Sequence, residues 1–169
     1  EPALRAAFGL DATQTEASVL QAYWPIPSLA SGRLTTYLEL AQSEKGGAKS
    51  AEAAFVLQQV SELKAPAERA RLLDQVFLTQ AGKPKADTSL FTKKMAAAAP
   101  GLELWIAEAR DHVVSLRDSL GIVRMLKATL AALTLAMRLD EDYEELKRRR
   151  SLLDFEDLIA RAAQLLAQE

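Results

Sequence analysis

The segment with the clearest chemical potential is 82–94, Gly-Lys-Pro-Lys-Ala-Asp-Thr-Ser-Leu-Phe-Thr-Lys-Lys, where Lys83, Lys85, Lys93 and Lys94 face one carboxylate, Asp87. Ammonium groups mixed with the hydroxyls of Thr88, Ser89 and Thr92 suit phosphate oxygens, which accept hydrogen bonds and carry charge, better than base edges. The bland alternative is a solvated connection. A second group is acidic: Asp140-Glu141-Asp142 and Glu144-Glu145 could hold Mg²⁺ or exchange protons. Lys147 to Arg150 follow directly, however, and acids early with bases late along one helix give favourable i,i+3 and i,i+4 pairs and complement its dipole. A solvated, self-paired helix end is the preferred reading. Tyr23, Trp24 and Trp105 could stack on bases, but their helical spacing among Leu and Ala favours packing in the core.

Other chemistries lack their residues. His112 is the single histidine and Cys is absent, which removes multi-imidazole and thiolate metal sites, disulfides and a cysteine nucleophile. On a helix beside Arg110 and Asp111, His112 reads as a surface or half-buried structural residue. Gly46-Gly47 is not followed by Lys-Ser or Lys-Thr at phosphate-loop spacing, and no Gly-x-Gly-x-x-Gly occurs. The net charge of −2 opposes a whole-surface attraction to nucleic acid, so any such contact is local.

The elements that position these residues are predicted to be helices. Apolar residues make up 49% and charged ones 26% of 169 residues, the balance of a globular domain, and period-two alternation is scarce. The first helix should stop at Gly9, with Leu10 to Thr13 as a turn. Thr13 or Thr15 then caps a short helix ended by Pro25 and Pro27. Another helix should start near Ser28 and run to Ala41, before a flexible Lys45-Gly46-Gly47 stretch. Ser50 begins the next, with Phe55, Val56, Val60 and Leu63 facing the core, and Pro66 opens the one that buries Leu72, Leu73, Val76 and Phe77. A loop over 80–100 holds a short helix within 90–99. A long helical region follows from Leu102 to Arg150, bent near Gly121, with Leu116, Leu120, Val123, Leu130, Leu133 and Met137 as its stripe. The expected fold is all-α, an irregular multi-helix domain with long C-terminal helices. Uninterrupted apolar runs fall short of the ~18 residues a bilayer span needs, and the start lacks a signal-peptide layout, so the expected location is cytoplasmic, without a membrane. The missing initiator Met suggests a piece of a longer protein.

The last third carries a resemblance. Tyr143-Glu144-Glu145-Leu146-Lys147, then Leu153-Asp154-Phe155-Glu156-Asp157-Leu158, resembles the Tyr…Lys…Leu-Asp-Phe-x-Asp-Leu signature of UvrD/RecB-type superfamily-one DNA helicases. In that family the signature marks where the chain leaves accessory subdomain 1B and returns to the ATPase core. The residues agree physically: Asp154 is a good N-cap with Asp157 three positions on, and Phe155, Leu158, Ile159, Ala162 and Leu166 share one face of a helix reaching about Gln168. Phe77-Leu78-Thr79, Gly82-Lys83-Pro84-Lys85 and Thr92-Lys93-Lys94 further resemble a stretch of the AddA-like helicase–nuclease subunits of α-proteobacteria. Lys85 and Ala86 stand where those have Arg and Lys, which lowers the local charge.

The resemblance implies a 1B-like accessory subdomain over 1–150 and a helix over 151–169 that returns to the ATPase core of the same polypeptide. It implies a parent ATP-dependent helicase and exonuclease of double-strand break repair and recombination. ATP and Mg²⁺ would be that parent's cofactors, with none held by this segment. The implied partners are duplex DNA, contacted without sequence preference through Lys83, Lys85, Thr92, Lys93 and Lys94, and an AddB-like subunit. The rival expectation is a helical protein-interaction module that binds a partner subunit without touching DNA. An independent enzyme finds no support in the motifs.

Overall fold

The computed structural model describes residues 2–11 and 13–167. Among the described residues it is all-α, with helices α1 (Pro2–Ala7), α2 (Glu16–Ala22), α3 (Arg33–Gln42), α4 (Ala48–Glu62), α5 (Pro66–Phe77), α6 (Lys93–Ala98), α7 (Leu102–Arg150) and α8 (Phe155–Leu166). Glu1, Ala12 within the expected first turn, and Gln168 at the expected end of the last helix lie outside the described residues. The chain forms two compact units, Glu1–Leu126 and Lys127–Glu169. The 1–150 and 151–169 division implied by the resemblance follows parent domains rather than packing.

In the first unit, local chemistry sets most helix ends. Gly9, at φ +66°, follows α1. Thr15 rather than Thr13 caps α2: its hydroxyl accepts from the Ser18 N–H at 3.1 Å while the Ser18 hydroxyl accepts from the Thr15 N–H at 2.9 Å. Pro66 occupies the first turn of α5, where its missing N–H leaves no bond unmade. Leu72, Leu73, Val76 and Phe77 are buried as expected.

Three expectations change. Ser28 does not begin α3; it lies in a 3₁₀ turn, Pro27–Leu29, and its hydroxyl donates to the Trp105 carbonyl at 2.9 Å. Ser31 and Gly32 then take φ of 56° and 84°, and only after that reversal can a right-handed helix start at Arg33. On α4 the inward positions are Ala53, Ala54, Leu57 and Val60, whereas Phe55 is 61% exposed. The helix packs against both α3 and α5, and its inner face carries small residues that let backbones approach. Finally, Lys45-Gly46-Gly47 forms a hydrogen-bonded turn: the Gly46 N–H donates to Ser43 O at 2.9 Å, and any Cβ on Gly46 would overlap the Ala41 carbonyl.

Helix α7 contributes Leu102, Ile106, Ala109, Val113, Leu120, Val123 and Leu126 to the core, spacings that keep one face inward. Gly121 does not interrupt it. Of the expected stripe, Leu120 and Val123 are buried, whereas Leu133 is 46% and Met137 66% exposed. The helix also contains an 18-residue window of mean hydropathy 1.6, of which 17% is buried, so by length and composition it is apolar enough to cross a bilayer. Counting only uninterrupted apolar runs missed this, because a spanning window tolerates isolated charges. In the second unit α8 presents Phe155, Leu158, Ile159, Leu165 and Leu166 exposed.

Candidate nucleic-acid interface

The basic segment is built on a short reversal of the chain. Leu78 and Pro84 form an isolated antiparallel bridge, the Thr79 N–H donates to Lys83 O at 2.8 Å, and the Lys85 N–H donates to Phe77 O at 2.8 Å. Gly82 sits at the bend with φ +76°, a conformation that disfavours other residues. Arg110 of α7 anchors the downstream arm, donating to Lys85 O at 2.9 Å and to Asp87 Oδ1 at 2.6 Å. Asp87, the one acid of the segment, is thereby already paired.

The five candidate phosphate contacts divide. Lys83, Lys93 and Lys94 are exposed, with no ion pair among the described residues. Lys85 is half-buried, and its Nζ donates to Gln75 O at 2.7 Å, so it braces the segment against α5. Thr92 is a cap: its hydroxyl accepts from the Met95 N–H at 3.2 Å and donates to Lys45 O at 2.5 Å. Two residues absent from the sequence-based group come into view here. Lys45, in the turn before α4, is tied to Thr92, and Lys49 follows in the first turn of α4. Lys49 and Lys85 line a cleft of about 330 Å³ with Glu52, Val56, Gln75 and Ser89. Nothing local in the sequence pairs residues 45 and 92; a single side chain to backbone bond does.

The signature residues converge in the second unit. Lys147 is only 6% exposed. Its Nζ lies 2.5 Å from Glu144 Oε1, 2.9 Å from Asp154 Oδ2 and 2.9 Å from Asp157 Oδ2, with the Tyr143 ring centroid at 5.1 Å. Hydrogen bonds from Glu144 first, then Asp154 and Asp157, hold its ammonium well above the usual lysine range. Asp154 caps α8 by accepting from the Asp157 N–H at 2.9 Å, and Asp157 accepts from the Asp154 N–H at 3.1 Å, the reciprocal arrangement expected from the sequence. The preceding helix closes by bonds from the Ser151 N–H to Arg148 O and from the Leu152 N–H to Lys147 O, with Ser151 at φ 51°. The apolar members stand outside this cluster: Leu153 is 44%, Phe155 77% and Leu158 52% exposed.

The remaining candidates are structural. His112 donates from Nε2 to the Ala22 carbonyl, 3.0 Å away, and Trp105 lies under the Arg33 guanidinium at 5.0 Å. Arg138 pairs with Glu141 and Asp142, and Arg148 and Arg149 with Glu145, all within one exposed helix end. Among the described residues no three His, Cys, Asp or Glu side chains are grouped to hold a metal ion. Compared with known protein families, curated proteins and solved structures, the chain finds no match in any of the three.

Proposed function

We propose that this chain is the DNA-facing 1B-like accessory subdomain of a cytoplasmic, ATP-dependent UvrD/RecB-type helicase of double-strand break repair and recombination, with an AddA-like helicase–nuclease as parent. The observation that carries the reading is the closure of Tyr143, Asp154 and Asp157 on Lys147. These are the polar positions of the resembling signature, and they come together in one folded turn. ATP and Mg²⁺ belong on this reading to the parent motor, since 46–47 lacks the residues of a phosphate-cradling loop.

The subdomain's own work is electrostatic. Exposed ammonium groups neutralise phosphates and release counterions, holding a duplex near the fork without reading its sequence. Lys83, Lys93 and Lys94 supply this, while Lys85 and Thr92 hold the segment in shape through Gln75 and Lys45. Each phosphate contact adds about 0.9 to the slope of log affinity against log salt. Replacing Lys83, Lys93 and Lys94 by Ala should therefore flatten the slope for a forked duplex by roughly 2 to 3 units, equally on unrelated sequences. Unchanged affinity and slope would defeat the reading.

A second reading has its own observation. Leu135, Met137, Leu139, Phe155, Leu165 and Leu166 are each more than half exposed, a quantity of apolar surface suited to protein contact. A helical interaction module binding a partner subunit, such as an AddB-like chain, would use it. Binding to such a partner would be insensitive to salt where DNA binding is steeply sensitive.

A further inference from the structure

Thr92 Oγ1 donates to Lys45 O at 2.5 Å across a sequence separation of 47 residues. The approach is close on both sides of that bond, since a Cβ on Gly47 would lie 3.4 Å from the Thr92 methyl group. The turn that carries Lys45 is closed by its own hydrogen bonds. Its Gly46 N–H is bound to Ser43 O at 2.9 Å, the Lys45 N–H to Ser43 Oγ at 3.2 Å, and the Gly47 N–H to Ser50 Oγ at 2.8 Å. Gly46 admits no other residue, because any Cβ would overlap the Ala41 carbonyl. Lys45 and Lys49 are both exposed, and the Thr92 bond holds the Lys45 backbone beside the start of α6, which carries Lys93 and Lys94. Against these four cations stand Glu44, exposed next to Lys45, Glu52, which shares the 330 Å³ cleft with Lys49, and Glu103, which lines a cleft with Lys93. Asp87 is already paired with Arg110.

We infer that Lys45 and Lys49 belong to the same phosphate-contacting face as Lys93 and Lys94, so that the duplex is gripped by two chain segments joined through Thr92. The inference rests on the proposed DNA-facing role and adds its second half. The starts of α4 and α6, tied together through Thr92, restrict the spacing of their charges, and restricted spacing lets several phosphates be met at once with less ordering cost. Four single lysines on mobile loops would each incur that cost separately. The contacts run to phosphates alone, so they carry no sequence preference.

The test uses the whole chain and a forked duplex with an arm of about two helical turns, titrated from low to moderate salt. Three proteins are compared with the parent: K45A/K49A, K93A/K94A and all four together. All these side chains are exposed, and unchanged thermal melting establishes that each variant is folded. The expected result is a slope flattened by about 1 to 2 units for each pair and by roughly 3 to 4 for the four. A normal slope for K45A/K49A beside a flattened one for K93A/K94A overturns the two-segment grip and leaves the DNA-facing role standing. A normal slope for every variant removes both.

Discussion

Lys147 shows how much one side chain can organise. A lysine that is 6% exposed would ordinarily discharge, because burial penalises the ammonium, yet Glu144, Asp154 and Asp157 all reach it. The net effect raises its affinity for the proton, with the Glu144 hydrogen bond contributing most. A group whose folded value is raised contributes stability that is complete below its unfolded value, about 10.4 for lysine, and lost only as the pH climbs through the folded one. The contribution of this residue to the turn should therefore be constant across neutral pH and be lost only in strong alkali. With ¹³C-labelled lysine, the Lys147 Cε resonance should stay in its protonated position as the pH is raised through about 10.4, the ordinary lysine value. A shift of that resonance over this range would contradict the geometry. Lys147→Met leaves three carboxylates facing one another without a cation, and the expected outcome is fraying of residues 155–166, read as faster amide exchange there than in the parent chain.

At the scale of elements, caps and breakers made much of the fold legible, because each acts within a few residues. Thr15, Pro66 and Asp154 announce helix starts by chemistry that needs no tertiary partner. What stayed hidden depends on distant packing. Nothing local says that Phe55 points outward, since that follows from Ala53 and Ala54 meeting two other helices. The start of α3 moved because Ser28 is bound to Trp105, 77 residues away. The candidate site divides in the same way: the lysines of 83–94 are visible as composition, but the occupation of Lys85 by Gln75 and the arrival of Lys45 beside Thr92 are not. The α7–α8 turn offers a test of local reasoning. Ser151 takes φ 51° at the position after a helix where glycine is favoured, and a side chain there costs energy that glycine avoids. Ser151→Gly should stabilise the turn by about 0.5–1 kcal/mol, slowing amide exchange in α8 by roughly 2- to 5-fold. Faster exchange would mean that glycine's extra freedom in the unfolded chain outweighs the relief.

For the molecule as a whole, the distribution of burial decides which parts can stand alone. Among the described residues every buried hydrophobic side chain, from Leu10 to Leu126, lies in the first unit, and the one buried residue beyond it is Lys147. Removing the second unit would thus delete no apolar side chain from the core that stabilises the first, and free energy of burial follows the area withdrawn from water. The tertiary hydrogen bonds obey the same division. Tyr37 to Leu90, Ser28 to Trp105, Thr92 to Lys45, Arg110 to Asp87 and Arg124 to Glu16 all join residues at or before 126. A chain ending at Ala132 keeps all of them and leaves about a turn and a half of α7 to fray beyond Leu126. It should fold cooperatively and melt within about 4 °C of the first unit's transition in the longer chain, which corresponds to a change of about 1 kcal/mol or less. A chain ending at Ser119 loses Leu120, Val123 and Leu126 from the core and the Arg124 pair with Glu16. At about 2–5 kcal/mol for a well-buried leucine, that loss approaches the whole stability of an ordinary domain. The expected outcome is a well-dispersed amide spectrum for the first chain and a collapsed one for the second. Loss of dispersion in the chain ending at Ala132 would show that the first unit draws stability from residues beyond its own core.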